Sequence, residues 1–188
     1  MTDALSLHAT ALEEFDRRVR AVGADQWSDP TPDTAWDVRA LVNHLVVEQL
    51  WVPLLLDGAT VQDVGDRFDG DRLGDDPVTA WADASARARA AFTAPGALHR
   101  HVELSYGRRP AEGYCREMTL DLAVHAWDLA RAVGADERID ETLAAEMYEL
   151  AAAQSDQLAA TGLFADPVAV ADDAGTQTRL LALLGRNP

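Results

Sequence analysis

An all-α bundle is the fold this chain predicts, and three observations carry the prediction. Apolar residues recur at three- and four-residue spacing through most of the 188 residues, the period of a helix with one buried face. Helix stops and starts punctuate those stretches at Gly23, Asp76-Pro77, Gly134 and Asp140. Strand-like alternation of apolar and polar residues is nearly absent. Together they predict one domain over residues 1–188, a four-helix bundle with an additional C-terminal segment and short irregular or extended connectors.

The elements follow in order. The first helix is expected over residues 3–22, where Leu5, His8, Leu12, Phe15, Val19 and Val22 share a stripe and Gly23 provides the stop. The Pro- and Asp-rich run QWSDPTPDT is a connector. Thr34 and Asp37 form a T-x-x-D pattern similar to a capping box, so the second helix is expected over residues 35–56. Val38, Leu41, Leu45 and Val52 make its inner stripe, and Pro53 predicts a kink or an early end. Residues 57–76, rich in Gly and Asp, read as a polar loop. Asp76 as N-cap and Pro77 at N1 open a third helix that runs through Phe92. Pro95-Gly96 breaks it, and Leu98 to Tyr106 reads as a short extended segment before a turn at Gly107. A fourth helix over 112–133 stops at Gly134. Asp140 caps a fifth over 141–160, whose alanines favour helix. The tail is expected to be extended through Val168 and Val170, then helical from Arg179 to Leu184.

Composition narrows the function classes. The chain carries 32 acidic against 16 basic residues, a formal charge of −16. Such a field repels phosphate backbones and anionic membranes, so neither nucleic acid nor membrane is expected as a partner. All 16 basic residues are arginine, which removes Schiff-base lysine chemistry and a P-loop lysine. A lone cysteine, Cys115, leaves no internal disulfide. No signal-peptide pattern or apolar run of about 20 residues is present, so a soluble cytoplasmic protein is expected.

The segment YCREMTLDLAVHAWDLARAVG holds the densest chemistry. Asp121 and His125 are four residues apart, about 40° around a helix and stacked on one face. That spacing lets a carboxylate and an imidazole close on one divalent cation. His44, from the apolar stripe of the second helix, would be a third ligand, and three protein ligands leave an open coordination position. The plainer readings are a core histidine at 44 and a half-exposed Asp121–His125 contact. Glu48, four residues after His44, shares its face and would pair, support the site or reach solvent. Asp128 lies about 20° from Asp121 by helical geometry. It would orient His125 or relay a proton, unless it simply pairs with Arg131 on the surface. His8 and the H-x-H run at His99 and His101 compete as ligands without a nearby carboxylate. Cys115 faces away and reads as a small buried residue. The Glu-x-x-His pairs of di-iron bundles, hydrolase elbows, phosphate loops and CxxC pairs are absent from the sequence.

Three runs resemble a known family: TPDTAWDVRALVNHLVVE (31–48), DLAVHAWDLARAVG (121–134) and FADPVAVADDAGTQTRLLALLGRNP (164–188). They are similar to an actinobacterial family of small metal-binding proteins in the DinB-like superfamily, close to the N-terminal domain of mycothiol-dependent maleylpyruvate isomerase. The resemblance implies a DinB-like four-helix bundle with one divalent metal at its open end, held by His44, Asp121 and His125. The isomerase-like domain uses Glu at the carboxylate position, one methylene longer than Asp121. The isomerase also carries a further C-terminal domain that 188 residues leave no room for, and close family members tend to have Cys where this chain has Asp33.

The first functional reading is therefore a transferase or isomerase that uses a thiol, mycothiol by resemblance, activated as thiolate by the metal to attack a small electrophile. Zn²⁺ suits the ligand set, with Ni²⁺ and Mn²⁺ as alternatives. Glu48 and Asp128 would relay protons or orient ligands, and Arg131 would meet a substrate carboxylate. The rivals are a metal-dependent hydrolase using water, and a non-catalytic metal- or ligand-binding bundle, homodimeric through helix faces.

Overall fold

The computed structural model describes residues 2–155 and 165–188. Its elements are α1 (Ala4–Ala21), α2 (Val38–Leu56), α3 (Val61–Val64), α4 (Pro77–Thr93), a 3₁₀ turn (Ala97–His99), β1 (His101–Leu104), β2 (Gly107–Pro110), α5 (Ala111–Val133), α6 (Glu141–Ala153) and α7 (Thr176–Leu183). The helices α1, α2, α4 and α5 form the four-helix bundle, and a two-stranded antiparallel hairpin flanks it. Among the described residues no helix is long and apolar enough to cross a membrane.

Two apolar clusters fill the bundle and fix the direction of each helix. One gathers Phe15, Val19, Leu41, Leu45, Trp81, Leu122 and Trp127. The other gathers Val52, Leu55, Phe92, Tyr114 and Met118. Along the chain, α1 and α5 pass from the second cluster into the first, while α2 and α4 pass from the first into the second. The order is therefore up-down-down-up. Two parallel neighbours, α2 and α4, need a crossover connection, and the polar stretch between them supplies it.

Local chemistry explains the ends. The Asp76 carboxylate accepts from the Thr79 N–H, with Pro77 at the first helical position. Gly134, left-handed at φ 71°, ends α5. The Asp140 carboxylate accepts from the Leu143 N–H and opens α6. These match the sequence expectations, and other details differ. The T-x-x-D box at Thr34 does not form: Asp37 is itself the N-cap, accepting from Ala40 N–H, so α2 starts at Val38. The 57–76 connector contains the short α3, where Thr60 and Asp63 make a reciprocal capping box. The extended segment before Gly107 pairs with a second strand, Gly107–Pro110, whose polar sequence hides it from hydrophobic periodicity. Helix α1 ends at Ala21 with an extended Val22 as cap, and not at a left-handed Gly23. Helix α7 begins three residues early, at Thr176, and the expected reach of α6 to 160 falls partly outside the described residues. Pro53 does not end α2, which continues to Leu56.

The interior position of α5 matters most for function. Residues 122–130 are all buried, so a polar side chain in this run has to find its partners inside the protein. α5 packs broadly on α1, whereas it meets α2 along a much looser seam. His44 and Glu48 of α2 and Asp121 and His125 of α5 meet in that seam.

Candidate metal centre

Helix α2 projects His44 into the seam, and α5 projects Asp121 and His125 from the opposite side. One potential ligand atom from each lies within 4.8 Å of the other two. Asp121 sits between the imidazoles: its Oδ2 is 3.3 Å from His44 Nε2, and its Oδ1 is 3.4 Å from His125 Nε2. The two histidine rings stand edge to face, 5.3 Å apart. Among the described residues no other group of three His, Cys, Asp or Glu side chains converges in this way.

Burial grades the three. The His125 side chain is 5% exposed, Asp121 22% and His44 27%, so the centre is closed on the α5 side and open outward past His44. Asp121 Oδ2 is nevertheless sealed from solvent and, among the described residues, has no well-formed hydrogen bond, His44 Nε2 being its nearest approach. A buried carboxylate oxygen without a donor is costly, and a divalent cation between the three side chains would satisfy it. One oxygen and two imidazole nitrogens are a fitting donor set for such an ion.

Electrostatics couples the group. Burial would raise the Asp121 carboxyl, but His125 and His44 beside it hold it well below the usual carboxylate range. Burial would lower His125, yet the Asp121 charge and the hydrogen bonds to Asp121 and Asp128 raise its imidazole to about 9. Glu48, one turn beyond His44, is pushed up to about 7 by burial and by the Asp121 charge.

Asp128 is fully buried, and its Oδ2 lies 3.0 Å from His125 Nδ1. With Nδ1 engaged there, Nε2 faces Asp121. The surface pair Asp128–Arg131 is not formed. Arg131 instead donates to Glu137 and to the Asn187 carbonyl, and it covers the Trp127 ring at 4.2 Å. The structure thus brings His44, Asp121, His125, Asp128 and Glu48 together and leaves Arg131 outside. The rival histidines are elsewhere: His8 is buried against Phe92, and His99 and His101 are exposed near the hairpin. Cys115 is buried in the second apolar cluster, its thiol raised to about 12 by burial.

Two residues of the site were missed in the sequence. Trp36, just before the α2 cap, lays its ring 4.6 Å from that of His44 and 5.5 Å from that of His125. Arg186, from the tail, reaches Asp128 with Nη2 to Oδ2 at 2.8 Å. Asp33 borders the same guanidinium at 3.8 Å. The only hint was that runs containing these residues carry the family resemblance.

A family model, the mycothiol maleylpyruvate isomerase N-terminal domain, matches residues 8–130 and so includes all three converging side chains. The chain belongs to this family. An uncharacterized protein of Mycobacterium tuberculosis, from strains CDC 1551 and H37Rv alike, is 33% identical over 157 residues, covering 81% of this chain and 79% of that protein. Among solved structures, the mycothiol-dependent maleylpyruvate isomerase superposes with a TM-score of 0.60 at 18% identity, over 81% of this chain and 71% of that one. A histidine-to-alanine variant of that isomerase gives 0.59 at 17%, over 76% and 67%. At such identity these two structures speak for the shared fold, a helical bundle like this one.

Proposed function

We propose that this member of the isomerase-domain family holds one divalent cation, best suited to Zn²⁺, with His44, Asp121 and His125, and that it uses a low-molecular-weight thiol to transfer to or isomerise a small electrophile. The observation that carries the reading is the convergence of three ligand atoms within 4.8 Å at an open seam, with one carboxylate oxygen left without a well-formed hydrogen bond among the described residues. A cation bound there supplies the charge that lowers a thiol's pKa and makes it nucleophilic near neutral pH. Ni²⁺ and Mn²⁺ suit the same nitrogen and oxygen donors.

The chain's own residues account for the rest. Asp121 brings the negative charge, and its place between two imidazoles keeps it ionised. Asp128 fixes the His125 ring by accepting from Nδ1. Trp36 shields one side of both histidines and limits water there. Glu48, buried one turn beyond His44 and beside the Asp121 charge, is placed to take the thiol proton and return it to product. Support for a thiol over water as nucleophile comes from the family, whose named isomerase is mycothiol-dependent.

The test is a turnover screen of Zn²⁺-loaded protein with activated alkenes, epoxides and maleylpyruvate-like substrates, with and without mycothiol or a simpler thiol. The reading expects product only when thiol is present, with Glu48→Gln lowering kcat more than it changes KM. Turnover without thiol would replace it with a hydrolase. Tight metal binding with no turnover would leave a binding protein.

A further inference from the structure

The C-terminal segment reaches Asp128 on α5 through Arg186, and this contact is built into the backbone. Gly185 follows α7 at φ 79°, and a Cβ added there would meet the Ala165 carbonyl oxygen at 2.6 Å. Only glycine fits that turn without displacement. The next residue is anchored by its own N–H, which donates to the Leu181 carbonyl at 2.9 Å. Its side chain is folded inward: Arg186 is 8% exposed, and Nη1 donates to the Leu184 carbonyl at 2.9 Å. The remaining edge of the guanidinium meets Asp128 as a fork, with Nη2 to Oδ2 at 2.8 Å and Nε to Oδ1 at 3.3 Å.

Asp128 is therefore a fully buried carboxylate held between an arginine fork and an imidazole. A buried charge needs such partners to stay ionised. Burial would raise its carboxyl, and the hydrogen bonds from His125 and Arg186 bring it down instead. A two-point fork also fixes the plane of the carboxylate, which one hydrogen bond does not. The direction in which Asp128 accepts from His125 Nδ1 is thus set by a residue 58 positions away in the chain.

We propose that Arg186 is a positioning residue of the metal centre, acting through Asp128 on His125, so that the C-terminal segment completes the site. The proposal rests on the metal reading above. Arg186 reaches the centre through Asp128, and its effect passes through the ring that His125 presents. Partners behind a ligating histidine carry about tenfold to hundredfold in metal affinity.

The experiment is Zn²⁺ affinity of the full chain, measured by competition with a chromophoric chelator, with helical circular dichroism recorded on every variant. Arg186→Gln is expected to lose about tenfold to hundredfold, and Arg186→Lys to recover part of it by keeping the charge without the fork. The Asp128→Asn, Arg186→Gln double variant is expected to bind no more weakly than Asp128→Asn alone. Arg179→Gln is the control, because Arg179 ties α7 to Tyr148 on α6 without reaching Asp128. That variant is expected to bind as the parent does. Equal affinity of Arg186→Gln and parent would overturn the proposal. So would additive losses in the double variant, or an equal loss in Arg179→Gln, which would reduce the effect to docking of the tail. A parent that takes up no Zn²⁺ would overturn the metal reading itself and this inference with it, an outcome distinct from a parent that binds and an Arg186 variant that binds equally well.

Discussion

His8 on α1 and His125 on α5 are both buried in the bundle, and their surroundings drive them in opposite directions. The His8 ring stands edge-on to Phe92 at 5.0 Å, and among the described residues neither of its nitrogens has a hydrogen-bond partner. Burial, followed by the charge of Arg89, drops its imidazole from 6.5 to about 4. His125 is equally enclosed, yet carboxylates meet both of its nitrogens and carry it to about 9. Burial alone makes a neutral core histidine. Burial beside carboxylates makes an imidazole that holds its proton, at the position where the proposed cation would replace it.

The largest predicted effect removes that distinction. Asp121→Asn takes away a proposed ligand and the charge that raises His125. Zn²⁺ affinity should fall by more than the hundredfold that supporting partners carry. The His125 imidazole of the metal-free variant should also titrate well below 9, as read by NMR. An unchanged His125 titration would mean that Asp121 does not govern the site.

A second effect concerns pH. Because His125 is protonated below about 9 in the metal-free protein, cation binding releases that proton. Affinity should therefore weaken as pH falls from 9 to 7, by about tenfold per unit while one proton is displaced. Isothermal titration in two buffers of different ionisation enthalpy would count the proton.

The His8 side of the comparison predicts acid sensitivity of the opposite origin. Its folded value, about 4, lies below the ordinary 6.5, so between these pH values the unfolded chain binds more protons than the native one. Stability should be intact above pH 6.5 and decline as pH falls toward 4, by up to about 3 kcal/mol. His8→Leu should flatten that decline in urea unfolding at pH 7 and pH 5 and leave metal affinity untouched. The smallest effect is at the α2 cap: Asp37→Ala should cost about 1 kcal/mol of stability without loss of metal.

Much of this was legible in the sequence because it is local. Asp76-Pro77, Gly134 and Asp140 act on backbone groups a few residues away, so the start of α4, the end of α5 and the start of α6 could be read directly. Asp121 and His125 share a face for the same reason. His44 was harder, since its approach depends on how α2 docks against α5. The stripe of apolar neighbours showed which way it faced, but not what it would meet. Arg186 had no local signal at all, because its partner is on another helix and its aim comes from the turn at Gly185. The Thr34 pattern misled because Asp37 reaches the Ala40 N–H by itself and leaves Trp36 free to lie over the histidines. β2 was invisible because GRRP has no apolar face to alternate.

The central claim is that His125, not His8, belongs to a metal centre with His44. The most direct test is metal content of protein purified without chelator or nickel resin, compared among the parent and the His44→Ala, His125→Ala and His8→Leu variants at equal helical signal. Near one divalent ion per chain is expected in the parent and in His8→Leu, and almost none in the other two. A parent that stays metal-free after incubation with Zn²⁺, Ni²⁺ and Mn²⁺, or that keeps its ion without His44 or His125, would contradict it.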